Sequence, residues 1–207
     1  MNANATLAPG ATTDLGATLL ALARSAIAER FGRPESAAAG HPALERPGAT
    51  FVTLQQAGEL RGCIGSLEAH RSLYLDVRAN AQAAAFHDPR FAPLTARELE
   101  ITRVEVSLLS APEPMMVASE LALLAALRPG VDGLILSLGP RRATFLPQVW
   151  ESLPDPVEFV AHLKRKAGLP FDDWSAEIRC SRYTVAKWSE DDAPAHATAA
   201  GGSGLRR

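Results

Sequence analysis

Residues 50–67 read TFVTLQQAGELRGCIGSL. Phe51, Val52 and Leu54 give Thr50 to Gln55 the apolar, β-branched weight of a strand. Gly58 marks a turn, and Leu60 to Leu67 reads as the returning strand, interrupted by Gly62 and Gly65. A strand pair joined this tightly is antiparallel. A second turn, Gly139-Pro140, joins a strand over Gly133 to Leu138 to Thr144-Phe145-Leu146 in the same way. Helices lie between these hairpins, so the pattern predicts an α+β domain rather than a doubly wound parallel sheet.

Working outward, Asp14 is placed to cap a helix running to about Phe31, where Gly32 and Pro34 stop it. Leu15, Leu19, Leu22, Ala23 and Ile27 repeat at helical spacing. Arg33 to Gly48 reads as a loop. Tyr74 to Phe86 is a strong helix ended by His87-Asp88-Pro89, and Thr95 with Glu98 has capping-box spacing. Ile101 to Leu109 alternates, with Thr102, Val104, Val106 and Leu108 set against Arg103, Glu105 and Ser107. It is the clearest half-buried strand. Ser119 caps a helix over Glu120 to Leu127, Asp155 to Ala167 forms another closed by Gly168, and Glu177 to Trp188 is the last strand. The two rounds share a coarse order of elements without a sequence-level repeat. Residues 1–13 and 191–207 are small, polar or Gly-rich and are expected to be disordered ends around one domain at 14–190.

At 207 residues the chain can bury one substantial core. A net charge of −2 argues against a general polyanion binder, which gathers excess Lys and Arg on one face. Cys63 and Cys180 are the only cysteines, so no disulfide framework is expected and a reducing compartment fits. Met1 to Thr13 lacks the basic start and apolar core of a secretory signal, and no apolar run is long enough to span a bilayer. The expectation is a cytoplasmic domain. The five histidines are scattered without zinc-ligand spacing, and no Walker A loop, Rossmann fingerprint or iron–sulfur motif occurs. No metal site and no intrinsic cofactor are expected.

Glycines on both sides of Cys63 are a packing defect unless something needs close backbone approach. This makes Gly62, Ile64 and Gly65 candidates for a ligand-contacting surface. Arg61 falls two residues from Cys63, hence on the same face of a regular strand, where a cation favours thiolate. The alternative is that Cys63 is a small buried hydrophobe and the glycines serve a bulge. His87 is a candidate general base toward Cys63, while Asp88 and Arg90 either join the site or simply pair with each other. Glu105 is either solvated or meets Arg61 across the sheet. Thr144 to Glu151 is a pocket wall, with Gln148 and Glu151 offering hydrogen bonds, or a plug in which Phe145 and Trp150 fill the core. Lys164, Arg165 and Lys166 suit a solvated helix C-terminus.

Leu60 to Gly65 resembles the hallmark of the AMMECR1 domain. Ala85-Phe86 followed by Asp88-Pro89-Arg90-Phe91 and Pro93-Leu94 looks like the second signature of that family, and Glu105 to Ser110 is similar to its Glu-Val-Ser strand. Gly133-Leu134, Thr144 to Glu151 and Lys166-Ala167-Gly168-Leu169 follow in order, with Trp174 and Tyr183 at aromatic positions, so the resemblance covers about residues 14–190. It implies two similar strand-and-helix halves around a single barrel-like, mostly antiparallel sheet with a small helical lobe. The same resemblance makes Arg61 to Gly65 the presumed functional site, and implies a Memo-like protein and a radical SAM protein as partners. Any iron–sulfur cluster and SAM would belong to the radical SAM partner. Three roles follow. The domain is an accessory or substrate-handling component, a thiol enzyme using Cys63 with His87 or Glu105, or a regulatory or nucleic-acid-associated module.

Overall fold

The computed structural model describes residues 9–33, 40–170 and 174–192. Most of both expected disordered ends therefore lies outside the described residues. Helix α1 (Pro9–Ala28) buries Leu15, Leu19, Leu22, Ala23 and Ile27, as their spacing predicts. It starts ahead of Asp14, which is inside the helix rather than its cap. Proline is well tolerated in a first turn, so Pro9 opens the helix without loss.

Strands β1 (Ala49–Gln56) and β2 (Glu59–Gly65) form the expected hairpin, turning at Gly58 with φ +84°. Helix α2 (Leu73–Phe86) follows, capped by Ser72, then the one-turn helix α3 (Ala96–Leu99) with a complete Thr95–Glu98 capping box. Strand β3 (Arg103–Leu109) pairs with β1, and the short β4 (Glu113–Met115) follows it. Helix α4 (Glu120–Ala126), the hairpin β5 (Gly133–Leu138) and β6 (Arg141–Phe145), and helix α5 (Pro156–Lys166) make up the second round. Strands β7 (Arg179–Tyr183) and β8 (Val185–Ser189) end it.

The strands form two four-stranded antiparallel sheets, ordered β2-β1-β3-β8 and β4-β7-β5-β6, where one barrel-like sheet was expected. The reason lies at two breaks. Ser110-Ala111-Pro112 interrupts the run from β3 to β4, and Pro112 has no N–H to donate to a ladder. Opposite it, Thr184 splits the single strand expected over Glu177 to Trp188 into β7 and β8. Ser110 N–H donates to Thr184 O (2.9 Å) and Thr184 N–H to Ser110 Oγ (3.0 Å), so the two runs stay paired while they pass from one sheet to the other. The two halves are topologically alike. Each has a hairpin, a helix and a third strand beside the hairpin's first, and each third strand runs on into the other half's sheet.

Helices α1 and α2 cover one face of the first sheet over Val52, Leu54, Val104 and Val106. The alternation of β3 breaks at its end, where Leu109 rather than Leu108 is buried, at the junction with Ile135 and Tyr183. The second core gathers Leu134, Leu136, Trp150, Phe159 and Leu163. Lys164 corrects the expectation of a solvated basic run. It falls on the stripe of α5 that carries Phe159, Val160 and Leu163, is fully buried, and donates to Glu120 at 2.9 and 3.1 Å.

A buried carboxylate locks α2 under β1. Asp76 accepts from Thr50 N–H (2.8 Å), Thr50 Oγ1 (2.7 Å), Ser66 Oγ (2.8 Å), Arg71 Nε (2.9 Å) and Asn80 Nδ2 (2.9 Å). Such a charge is tolerable in a core only when its lone pairs are filled in this way. Helix α2 also passes so close to β2 that a Cβ on Gly62 would lie 2.2 Å from the Ala84 carbonyl oxygen. Backbone cannot rotate away as a side chain can, so Gly62→Ala is expected to cost about 1–3 kcal/mol. A Tm drop of about 2–8 °C should show by calorimetry. Gly40→Ala, where a Cβ meets nothing within 4 Å, should leave Tm unchanged.

Candidate functional site

The face of the first sheet turned away from α1 and α2 carries polar side chains in register. Cys63 lies opposite Thr53, and Thr53 opposite Glu105; in the next row Gly65, Phe51, Ser107 and Lys187 align. Thr53 Oγ1 donates to Cys63 Sγ at 3.4 Å, and Lys187 Nζ meets Glu105 Oε1 at 3.0 Å. Facing this wall is the 3-10 turn Pro147–Glu151, which follows β6, with Pro129, Gly130 and Pro154 beside it. Between them is a cavity of about 510 Å³, lined by Cys63, Glu105, Gln148, Glu151 and Lys187 among others. That volume is in the range of small-molecule sites.

The turn reconciles the two readings of Thr144 to Glu151. Trp150 points into the core, stacks on Phe159 at 3.7 Å between ring centroids, and donates its indole N–H to Asp132 O at 2.7 Å. Gln148 and Glu151 stay exposed on the cavity side. One short turn is therefore plug and wall at once.

Strand β2 is a sheet edge, and the loop after α2 takes up its outward backbone groups at Cys63. Cys63 N–H donates to Asp88 Oδ2 (2.9 Å), and Arg90 Nη2 donates to Cys63 O (3.3 Å). Arg90 also grips Asp88 through Nε (3.0 Å) and Nη2 (2.7 Å). These Arg90 bonds, with the backbone N–H groups of Cys63 and Arg90, hold the Asp88 carboxyl well below the usual carboxylate range.

The remaining candidates fall elsewhere. Arg61 is the unpaired residue of a bulge, since Leu54 pairs with Gly62 and Gln55 with Leu60. The bulge undoes the same-face relation to Cys63. Arg61 instead pairs with Glu98 at 3.2 Å beside the Phe91 ring. Glu105 thus meets Lys187 rather than Arg61, and with its side chain 17% exposed it is more enclosed than a solvated carboxylate. His87 is exposed at the C-terminus of α2 and is not part of the cavity lining. Ile64 packs on the first core. The close approaches at Gly62 and Gly65 are made by the chain itself, to the Ala84 carbonyl and the Phe51 ring. Among the described residues no three His, Cys, Asp or Glu side chains gather to hold a metal ion, and no helix is long and apolar enough to cross a membrane.

Sequence reasoning missed Phe51, Thr53, Ser107 and Lys187. Ser107 was within reach of the two-residue period from Glu105. Lys187 was not, because only the β3–β8 register brings it there.

Two outcomes test this arrangement. Cys63 lines the cavity, whereas Cys180 is buried and its burial pushes the thiol up to about 11. Iodoacetamide at pH 8 should therefore label Cys63 alone in the folded protein, with Cys180 reacting only after denaturation, as peptide mapping will show. Asp88, depressed when folded, binds fewer protons in the native than in the unfolded state as pH falls below the usual Asp value of about 3.9. Its stabilisation is full at neutral pH and lost as pH falls through that window. Asp88→Asn should lower Tm at pH 7, and the gap to wild type should narrow toward pH 3. A gap independent of pH would refute the clamp's ionic character.

A family model described as AMMECR1 matches residues 20–188. A protein of Methanothermobacter thermautotrophicus is 37% identical over 187 residues, covering 86% of this chain and 95% of its own length. One from Thermofilum pendens is 38% identical over 177 residues, covering 77% and 81%. The crystal structure of an uncharacterized protein from Pyrococcus horikoshii matches with a TM-score of 0.70 at 32% identity, over 85% of this chain and 91% of that one. By family model, by sequence and by fold, this chain belongs to the AMMECR1 family.

Proposed function

We propose that the chain is a substrate-handling domain that holds a small molecule in its cavity and works with a Memo-like protein and a radical SAM protein. The observation that carries this reading is convergence. Cys63 and Glu105 on the first sheet meet Gln148 and Glu151, which come from the other half of the chain, around one cavity of about 510 Å³. A site assembled from two halves, with both polar and apolar side chains in its lining, suits a ligand held by shape and a few directed bonds. The two partners come from the family resemblance, and the redox cofactors of the radical reaction would be theirs.

A second reading, Cys63 as the nucleophile of an autonomous enzyme, is favoured by the position of its Sγ in the cavity. It is weakened by the backbone. The Cys63 N–H, a natural oxyanion donor, is already given to Asp88, and His87 lies outside the cavity lining.

Co-expression with the Memo-like and radical SAM proteins of the same host tests the proposal. A complex should be recovered with wild type and equally with Cys63→Ala, since that thiol faces the cavity. Recovery of no complex overturns the partner reading. Loss with Cys63→Ala alone would make the cavity mouth a protein interface instead.

A further inference from the structure

Resting on the reading of the cavity as a small-molecule site, we infer that its ligand carries a cationic amine head on a compact apolar body. Three charged side chains line the cavity, Glu105, Glu151 and Lys187. Glu105 and Lys187 satisfy each other at 3.0 Å. Glu151, on the opposite wall, forms no ion pair or side-chain hydrogen bond among the described residues. Two carboxylates against one ammonium leave the lining at −1, and the unmatched charge is Glu151.

The surroundings give that charge its reach. Phe51, Leu146 and Val185 supply apolar wall, and Pro129, Pro147 and Pro154 supply wall without N–H donors. Displacing water from such a space lowers the local dielectric and strengthens attraction between a carboxylate and an entering cation. An anionic ligand meets the reverse. The sole cation of the lining is already matched by Glu105, so a second anion has to break that pair or sit unpaired. Gln148, beside Glu151 on the same turn, offers an amide oxygen to a second N–H of the amine. The apolar body then lies along Phe51 and Val185 on the sheet wall.

Cys63 reports occupancy, because it lines the same cavity. The experiment measures iodoacetamide labelling of Cys63 in the full chain at pH 7.5 with three probes sharing one ring and a short chain. Phenethylamine is the cation, 2-phenylethanol the neutral form and 3-phenylpropanoate the anion, with glutathione as control for reagent loss. Phenethylamine should slow labelling saturably, and the other two should protect far less at equal concentration. Glu151→Gln should raise the amine concentration for half-protection about tenfold. Protection is the ratio of labelling with and without probe within each variant, so a shift in baseline reactivity cancels. Equal protection by all three probes, or better protection by the carboxylate, overturns the amine assignment while the small-molecule reading stands. No protection by any probe overturns both. Amine protection unchanged in Glu151→Gln overturns the assignment of the head group to that carboxylate.

Discussion

Helix α2 lies so close beneath β2 that only glycine fits between them at position 62. Much of the site follows from that contact. With residue 62 turned to the helix, the pleat sends residue 63 to the opposite face, away from α1 and α2. The helix end is fixed by the same packing, so the loop after Phe86 reaches the edge of β2 at Cys63. There Asp88 and Arg90 take up the N–H and carbonyl that an edge strand leaves open. An edge otherwise prone to pairing with another chain is thereby covered. One steric constraint thus positions the thiol, orients its wall and protects its backbone.

The same constraint explains what was legible in the sequence. The hairpin and the capping box are local, and turn residues and cap spacing predict both. The oddity of Gly62-Cys63-Ile64-Gly65 was visible too, but not its cause, since the needs of Ala84 and Phe51 arise from packing between distant residues. Arg61 shows the limit of period-two reasoning. A bulge of one residue moved it from the thiol to Glu98; the glycines mark the segment as one that can bulge, but the position of the bulge is set by pairing with Leu54 and Gln55 on β1. Likewise the split of the last strand at Thr184 depends on the chain opposite, at Ser110 to Pro112.

The candidate site was half legible for a related reason. Cys63 and Glu105 share a wall because each sits opposite Thr53 on β1, a relation that hairpin logic alone supplies for Cys63 and that β3 register supplies for Glu105. Gln148 and Glu151 were marked out by composition, yet their place across the cavity depends on how the two halves meet. Lys187 needed the full topology. Without it Glu105 would have been counted as a free carboxylate, and the charge of the cavity would have been misjudged by one.

The likeness of the two halves accounts for where the cavity lies. In each half the segment after the hairpin crosses to the open face of the other half's sheet. After β6 that segment is Pro147–Glu151, held off the first sheet by Trp150 anchored in its own core, and the space left is about 510 Å³. After β2 it is Leu67-Glu68, which meets Ile135, Arg142 and Thr144 of the second sheet around a groove of about 280 Å³. There Glu68 and Arg142 pair across the gap. The same topology therefore produces two facing surfaces, and side chains decide their fate. An ion pair bridges one. The other, with its charges matched along a single wall and Glu151 opposite, stays open.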